Sequence, residues 1–314
     1  MVQAPPVAVI DIGSNSIKVL VATRAADGSV QALKYRTIDA RISAGISHSA
    51  PQLGEEGMAR GVAAVAALLA DAVSFHPAKT ILVATSAVRD AQNGMEFRNR
   101  VRAATGHDIR ILSGEEEANL IGGGLTCDPA LASLRDFYVF DLGGGSLECL
   151  AFRARRIQQV ASLPLGCVRL TEKFVPDARV AFTNDASEAI RLHTRDTMVR
   201  SGFTFSLPAG AEAVGTGGTL TTVRTVLAAR AGLMLDQTTP TITVVELREM
   251  LSWLGALGLA ERKQIAGLPP ARADVFPAAL ATVIALAEVG GFSAFRNSLY
   301  NLRYGLAAEA LGEK

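Results

Sequence analysis

One pattern of apolar and polar positions occurs twice along this chain. Residues 7–22 read VAVIDIGSNSIKVLVA, and residues 137–152 read FYVFDLGGGSLECLAF. Each copy is an apolar run, an acidic residue, a turn of small residues and a second apolar run, which predicts a strand, a tight loop and a strand. When Asp11 is aligned with Asp141, the copies also share a glycine and a serine in the turn. The repeat predicts two related halves.

The small residues of these turns suit an anion. Glycine and serine let backbone N–H groups converge on a phosphate without a bulky side chain in the way. The acid at the end of each strand suits a divalent cation that bridges carboxylate and phosphate oxygens. A single glycine-rich hairpin is often only a hairpin, but two matched copies favour phosphate binding. Two such loops facing each other would form a phosphate clamp between the halves.

The remaining pattern alternates between the periods of helices and strands, so that each half is predicted to be a meander followed by α/β units. Residues 7–40 are predicted to be strands joined by turns, and the other strands predicted outside the repeats are 80–85, 109–112, 158–164 and 213–215. The predicted helices are 54–75, 93–105, one beginning at Ser113, 178–201, 220–231, 244–259, 277–290 and one at the C-terminus. No low-complexity linker separates the halves. We place the boundary inside a continuous helix near 121–125, beside three glycines expected to be flexible.

Composition narrows the class of protein. The chain has 314 residues, of which 49% are hydrophobic and 5% aromatic, which predicts two domains with aliphatic, alanine-rich cores. A net charge of +1 argues against nucleic-acid binding or a membrane-surface role. The N-terminal segment lacks the pattern of a signal peptide, and the apolar runs are too short to cross a bilayer. Three cysteines without a CxxC spacing indicate a reducing cytoplasm, and the four histidines have no metal-ligand spacing.

Three glutamates follow Ser113 in the segment ILSGEEEANLI. Ser113 and Glu116 have the spacing of a capping box, and acids in a first helical turn are favoured by the helix dipole. This structural role accounts best for Glu115 and Glu116. A glutamate at a helix start beside phosphate loops also suits a general base for water. The spacing alone leaves both interpretations open.

Two arginines and a glycine-rich turn are further candidates. Arg89 and Arg169 each follow a predicted strand, where an arginine is either a surface charge or a bidentate phosphate ligand. The segment VGTGGT, residues 214–219, precedes a helix and offers N–H groups for a third anion site. The chain lacks the GxxxxGK[ST] pattern of a P-loop and the GxSxG pattern of a nucleophile elbow. A dinucleotide fold and an HD-type metal phosphohydrolase are also excluded by the spacing.

Seven motifs together resemble those of the Ppx/GppA family of exopolyphosphatases and guanosine pentaphosphate phosphohydrolases. In chain order they are DIGSNS, TSAVRDAQN, SGEEEANLI, DLGGGSLE, LPLGCVRLTE, GTGGT and LPPARADVFPAAL. The resemblance implies an α/β fold with two RNase H-like domains of the actin, sugar-kinase and heat-shock ATPase superfamily around a central cleft. We expect one domain at 1–124, with the C-terminal helix 300–314 packing back on it, and the other at 125–299. The length resembles that of the short members, without a C-terminal HD-type domain.

The resemblance also assigns roles to particular residues. It makes Glu117 the catalytic base, and it places Asp11, Asp141 and Glu148 around the attacking water and a Mg²⁺ or Mn²⁺ ion as metal ligands. The implied phosphate-binding residues are Gly13, Ser14, Asn15, Ser16, Arg89, Gly143, Gly144, Gly145, Ser146, Gly217, Gly218 and Thr219. Two positions depart from the family pattern. Leu147 stands where many members have threonine, and Tyr304 leaves Arg303 without its usual acidic neighbour.

The predicted function is hydrolysis of the terminal phosphate of inorganic polyphosphate by a magnesium-dependent, cytoplasmic enzyme. The nearest alternative is hydrolysis of guanosine pentaphosphate, in which case the protein would act in the stringent response. A kinase of the same fold and a non-catalytic polyphosphate or nucleotide sensor are further alternatives. The resemblance implies a homodimer, and neither nucleic acid nor membrane is an expected partner.

Overall fold

The computed structural model describes residues 5–312, which divide into two compact units. The first unit contains residues 5–133 and 300–312, and the second contains residues 134–299. The division predicted after Gly124 therefore differs from that observed, since the chain enters the second unit only after Ser133. The predicted boundary falls inside a helix, Gly114–Thr126, that belongs wholly to the first unit.

The first unit is built on a five-stranded mixed sheet in the order β3-β2-β1-β4-β5. Its strands are β1 Val7–Ile12, β2 Ile17–Arg24, β3 Val30–Ile38, β4 Lys79–Ala84 and β5 Ile109–Ile111. The first three strands form an antiparallel meander, and β4 and β5 continue the sheet in parallel with β1. Every residue of β1 is buried, as expected for a central strand covered on both faces. This meander with α/β units is the predicted RNase H-like arrangement.

The helices of the first unit include one contributed by the C-terminal segment. They are α1 Glu55–Val73, α2 Ser86–Arg89, α3 Gly94–Thr105, α4 Gly114–Thr126 and, numbered in chain order, α11 Leu302–Ala310. In α4, Gly124 allows backbone contact with α11, because a Cβ there would overlap the carbonyl of Asn301. Gly305 of α11 likewise lies against the carbonyl of Leu120. Glycine thus serves close packing in α4, where the sequence suggested flexibility.

The second unit repeats the plan with a six-stranded sheet in the order β10-β11-β9-β6-β7-β8. Its strands are β6 Phe137–Leu142, β7 Leu147–Arg153, β8 Arg156–Leu163, β9 Glu212–Thr216, β10 Thr241–Thr243 and β11 Ala294–Asn297. Its helices are α5 Cys167–Phe174, α6 Asn184–Arg200, α7 Gly217–Arg230, α8 Val244–Gly255, α9 Leu259–Arg262 and α10 Phe276–Gly290. The meander β6-β7-β8 repeats β1-β2-β3, and β9 lies parallel to β6 as β4 does to β1.

Several elements of the second unit differ from their predictions. Helix α6 starts six residues later than predicted, where the Thr183 side chain accepts a hydrogen bond from the backbone of Ala186 as N-cap. Helix α5 was not predicted, because its sequence, CVRLTEKF, spans only eight residues, about two helical turns. The core is also less aliphatic than expected, since aromatic rings from 138–140, 203–205 and 292–295 pack against one another.

Candidate functional site

The two repeated loops have the same backbone conformation in their separate units. In the first, the Gly13 N–H donates to the Ser16 carbonyl at 3.2 Å, and in the second the Gly143 N–H donates to the Ser146 carbonyl at 3.0 Å. Each loop joins the first two strands of its meander, immediately after the strand that ends with the acidic position. The sequence repeat therefore corresponds to a repeat in three dimensions.

The first loop is buried although most of its residues are polar. Ser14, Asn15 and Ser16 are each less than 9% exposed. The Ser14 hydroxyl lies 3.4 Å from that of Ser86, at the start of α2. The Asn15 Nδ2 is buried and has no hydrogen-bond partner among the described residues. An unmet amide donor inside a protein is costly, so this atom is suited to a ligand.

The predicted base, Glu117, is a buried carboxylate held by an arginine of the same unit. It lies in the first turn of α4 and is 7% exposed. Arg89 of α2 donates from Nη1 to Glu117 Oε2 at 2.9 Å and to the Leu112 carbonyl at 3.1 Å. Arg89, predicted to bind phosphate, is thus at least partly engaged in holding the candidate base.

The neighbouring Glu116 is committed to structure. Its carboxylate accepts from the Ser113 backbone N–H at 2.8 Å, while the Ser113 hydroxyl accepts from the Glu116 N–H, completing the predicted capping box. Its other oxygen accepts from Arg110 at 2.8 Å. The Arg110 hydrogen bond, followed by those from Ser113, lowers the pKa of Glu116 to about 2. Glu116 is therefore a poor general base at neutral pH.

Asp11 forms a buried ion pair within the first unit. Arg303 of α11 donates from Nη1 to Asp11 Oδ2 at 2.8 Å, and both side chains are nearly inaccessible. The same guanidinium donates from Nη2 to the Tyr35 hydroxyl at 3.3 Å and lies over the Tyr35 ring. Arg303 thus forms an ion pair with an acid far away in sequence. It has this partner although residue 304 is a tyrosine and not the acid that the resemblance implies. Tyr304 itself stacks on Tyr300.

Asp141 and Glu148 are cross-strand neighbours in the second unit. They are paired in the antiparallel register of β6 and β7, which places the two carboxylates on the same face of the sheet. Glu148 is 2% exposed and accepts from the Ser162 hydroxyl at 2.9 Å. Two adjacent carboxylates in a poorly solvated position repel each other, and a divalent cation relieves that repulsion.

The start of α7 lies directly against Asp141. A Cβ at Gly217, where φ is +76°, would overlap the Asp141 carboxylate, so only glycine fits there. The first amides of α7 belong to the predicted residues Gly217, Gly218 and Thr219. The Thr219 hydroxyl donates to the Leu142 carbonyl at 2.9 Å and so joins α7 to β6. Its phosphate-binding prediction therefore depends on the backbone N–H.

Arg272 is a candidate site residue that the sequence reasoning missed. Its guanidinium lies so close to Gly218 that a Cβ there would overlap it, and its Nε is buried without a hydrogen-bond partner among the described residues. The motif LPPARADVF contains it, but a single arginine in a proline-rich segment carries no spacing that indicates chemistry. The structure places this cation beside the N-terminus of α7.

The other predicted positions are also placed by the structure. Arg169 of α5 donates from Nε to the carbonyl of Gly145, so it contacts the second loop directly. The Leu147 side chain is fully buried and lines a small apolar cavity with Leu142 and Phe140, so it is not available to bind phosphate. The leucine at the position where the resemblance implies threonine therefore forms part of the apolar packing beneath the loop.

The described residues contain no group of three or more histidine, cysteine, aspartate or glutamate side chains that could hold a metal ion. The pair Asp141 and Glu148 nevertheless fits Mg²⁺, which is bound in proteins through one or two carboxylates together with water and substrate phosphates. Asp11 fits less well, because Arg303 already neutralises it within its own unit. Among residues 5–312, no helix has the length and apolar character needed to cross a membrane.

Comparison with known proteins decides the family. The family model described as the Ppx/GppA phosphatase family matches residues 20–314. This chain belongs to the Ppx/GppA phosphatase family. The resemblance carried by the seven motifs is thereby confirmed. A curated relative, the guanosine-5'-triphosphate,3'-diphosphate pyrophosphatase of Vibrio vulnificus (strain YJ016), is 31% identical over 313 residues. The match covers 99% of this chain but only 60% of the relative, so this family member spans less than two thirds of that protein's length.

Solved structures show the same fold. An exopolyphosphatase from Cytophaga hutchinsonii matches with a TM-score of 0.86 at 22% identity, covering 98% of this chain and 97% of that one. A Ppx/GppA family member from Aquifex aeolicus matches with a TM-score of 0.77 at 22% identity, with the same coverage. At this level of identity the likeness establishes the fold, and the predicted two-domain α/β class is confirmed.

Proposed function

We propose that this protein is a magnesium-dependent phosphoanhydride hydrolase that removes the terminal phosphate of inorganic polyphosphate. The observation that carries the proposal is the pair of matched loops. In each loop the carbonyls at the two central positions are hydrogen-bonded within the unit, whereas no hydrogen bond among the described residues uses the N–H groups of Ser14, Asn15, Gly144 or Gly145. Backbone N–H groups left without an intramolecular acceptor in small-residue loops of this kind can bind phosphate oxygens.

In this proposal Glu117 is the general base. A water positioned by this buried carboxylate attacks the terminal phosphorus and loses its proton to Glu117, and the bond to the bridging oxygen breaks. The products are orthophosphate and a chain shortened by one phosphate. Arg89 holds Glu117 in place, so the base does not depend on a flexible side chain. Covalent attachment to the enzyme is not required.

The proposal assigns Asp141 and Glu148 as the carboxylates that would hold Mg²⁺ or Mn²⁺. The ion would neutralise charge on the phosphate chain. Arg272 and the first amides of α7 lie beside Asp141 and add positive potential on that side of the carboxylate. Asp11 is not assigned to the metal ion in this proposal, because it already forms an ion pair with Arg303, and its role is to hold that pair beside the first loop.

Guanosine pentaphosphate is the second candidate substrate. It is favoured by the Vibrio vulnificus relative, whose name specifies a guanosine substrate and which matches almost all of this chain. The same loops and the same base would act, and only the leaving group would differ. The homodimer and the cytoplasmic location remain predictions, and sedimentation of the purified chain would test the first.

The deciding experiment measures phosphate release from long polyphosphate, tripolyphosphate and guanosine pentaphosphate across a magnesium titration. Release that requires magnesium, together with the ranking of the three values of kcat/KM, would identify the substrate. Asp141→Asn should shift the magnesium titration to higher concentration, because one ligand is lost. Folded protein that releases phosphate from none of them would contradict the proposal, and an unchanged titration in the variant would remove Asp141 from the metal site.

A further inference from the structure

The first loop is held by a short segment that follows β3. The Arg41 backbone N–H donates to the Asn15 carbonyl at 2.9 Å, and Arg41 Nε donates to Asn15 Oδ1 at 3.0 Å. Two residues further on, the Ser43 hydroxyl donates to the Ser14 carbonyl at 3.1 Å. The residues 41–43 thus take up the carbonyl oxygens of both central loop positions and the side-chain oxygen of Asn15.

The second loop is held in the same way by the segment that follows β8. The backbone N–H groups of Val168 and Arg169 donate to the Gly144 carbonyl at 2.8 and 3.2 Å. Arg169 Nε donates to the Gly145 carbonyl at 3.0 Å. Gly145 occupies the position of Asn15 when the two repeats are aligned on their acids. In both units, therefore, an arginine after the third strand of the meander uses its backbone N–H and its Nε on the phosphate loop.

The contact from Arg41 decides which way the Asn15 amide faces. Because Oδ1 accepts from Arg41, the Nδ2 group is directed to the other side of the amide, where it is buried without a partner among the described residues. A buried amide donor without an acceptor is unfavourable unless a ligand supplies one. The backbone of Arg41 has a φ of +37°, a conformation that side-chain-bearing residues rarely adopt.

We propose that Arg41 is a positioning residue that presents the Asn15 Nδ2 donor, with the loop N–H groups, to an oxygen of the bound phosphate. Arg169 is its counterpart on the second loop and acts through the main chain of Gly144 and Gly145. This inference rests on the proposed function, since it assigns a phosphate oxyanion to the first loop. It adds a residue that no motif in the sequence indicates.

The guanidinium geometry is essential to this role. Arg41 donates from Nε while its backbone holds the same asparagine, so the arm between the two donors is short and fixed. A lysine carries a single ammonium at the end of a flexible chain and has no donor at the Nε position. Charge alone therefore does not reproduce the contact.

The test uses calorimetric titration of the full chain with tripolyphosphate and excess Mg²⁺, with Glu117→Gln present in every protein titrated so that the ligand is not hydrolysed. Turnover of the same substrate is measured in parallel in proteins that keep Glu117. Arg41→Met and Asn15→Ala should each weaken binding about tenfold or more, because a hydrogen bond to a charged group is lost. The double variant should bind within about threefold of the weaker single variant, since both changes remove the same contact between the Asn15 amide and phosphate. Losses that multiply in the double variant would overturn the inference.

Matched variants separate positioning from charge and from folding. Arg36→Met is the control, because Arg36 lies on β3, is exposed and pairs with Asp71 away from the loop. It should bind tripolyphosphate as the wild type does. Arg41→Lys keeps the charge and should remain as weak as Arg41→Met, and full binding by this variant would overturn the inference. It also replaces Arg41→Met if that variant unfolds.

The outcomes for function and for positioning are distinguishable. A wild-type protein that binds tripolyphosphate through Arg41 and Asn15 but releases no phosphate would refute the hydrolase while supporting the positioning role. Turnover by the wild type with unchanged binding in Arg41→Met would support the hydrolase and refute the positioning role. Absence of tripolyphosphate binding by folded protein that carries only Glu117→Gln would also refute the positioning role.

Discussion

At the residue scale, three adjacent glutamates have three different environments. Glu115 is exposed, Glu116 caps α4 and pairs with Arg110, and Glu117 is buried against Arg89. The helical rotation of about 100° per residue separates them, so that only one faces the interior. Position in the helix, and not residue type, therefore selects the candidate base.

Glu117→Gln should lower kcat on the preferred substrate by about 10²–10⁴-fold with a modest change in KM, because the amide cannot accept the proton from water. Phosphate release under saturating magnesium measures it. Glu116→Gln is the matched control and should retain activity within about threefold, since its carboxylate serves the helix cap. A loss of less than tenfold in Glu117→Gln would assign the base elsewhere.

Removing the cation from the buried ion pair should be far more damaging than removing one at the surface. Arg303→Met leaves Asp11 charged and unpaired, which is expected to cost about 3–5 kcal/mol in the free energy of unfolding. Arg36→Met breaks an exposed pair and should cost less than about 1 kcal/mol. Urea denaturation compares them. Equal stabilities of the two variants would show that Asp11 does not depend on Arg303.

At the element scale, the contact between α4 and α11 depends on glycine. Gly305→Ala would place a Cβ against the carbonyl of Leu120, and it should lower the free energy of unfolding by about 2 kcal/mol or more. Gly123 lies one residue from Gly124, and a Cβ there would make only an ordinary van der Waals contact, 3.9 Å from the Cα of Gly305. Gly123→Ala should raise stability by up to about 1 kcal/mol through helix propensity. The reverse order in denaturation would refute this account of the packing.

The N-terminus of α4 should contribute to stability in a pH-dependent way. The pKa of Glu116 falls from 4.5 to about 2 on folding, chiefly because of Arg110. A lowered folded-state pKa stabilises the protein above the unfolded value and loses that effect as pH falls towards the folded one. Wild type should therefore exceed Glu116→Gln in denaturation midpoint at pH 7, and the difference should shrink between about pH 4.5 and 2. A difference independent of pH would contradict this.

At the scale of the whole molecule, the first unit is discontinuous in sequence. Residues 300–312 complete it by supplying Arg303 to Asp11 and Gly305 to α4. Deleting residues 300–314 should therefore expose β1 and α4 to hydrogen exchange while β6, β7 and β8 keep their protection. Mass spectrometry of the exchanged peptides measures this. Unchanged protection of β1 in the deletion variant would show that the unit does not need the C-terminal segment.

The sequence predicted the fold class, because the hydrophobic period and the turn residues are local signals and the same pattern occurs at both 7–22 and 137–152. It did not predict helix α5 or the strands β10 and β11, because two helical turns or three to four strand residues are too short to be distinguished from a loop. It located the two repeated loops and Glu117 by motif. Arg41, Arg272 and Arg303 escaped notice in their present roles, because a single arginine has no spacing that reveals its partner.

What the sequence determined by itself is the set of local structures: apolar strands, small-residue loops with an acid beside them, and a capped helix that begins with glutamates. What only the tertiary structure decided is which charges meet. Asp11 meets Arg303 across almost the entire chain, and Asn15 meets Arg41 through a turn with no recognisable pattern. Ion pairs and hydrogen bonds need proximity of a few ångströms, and proximity between distant residues is a property of the packed chain.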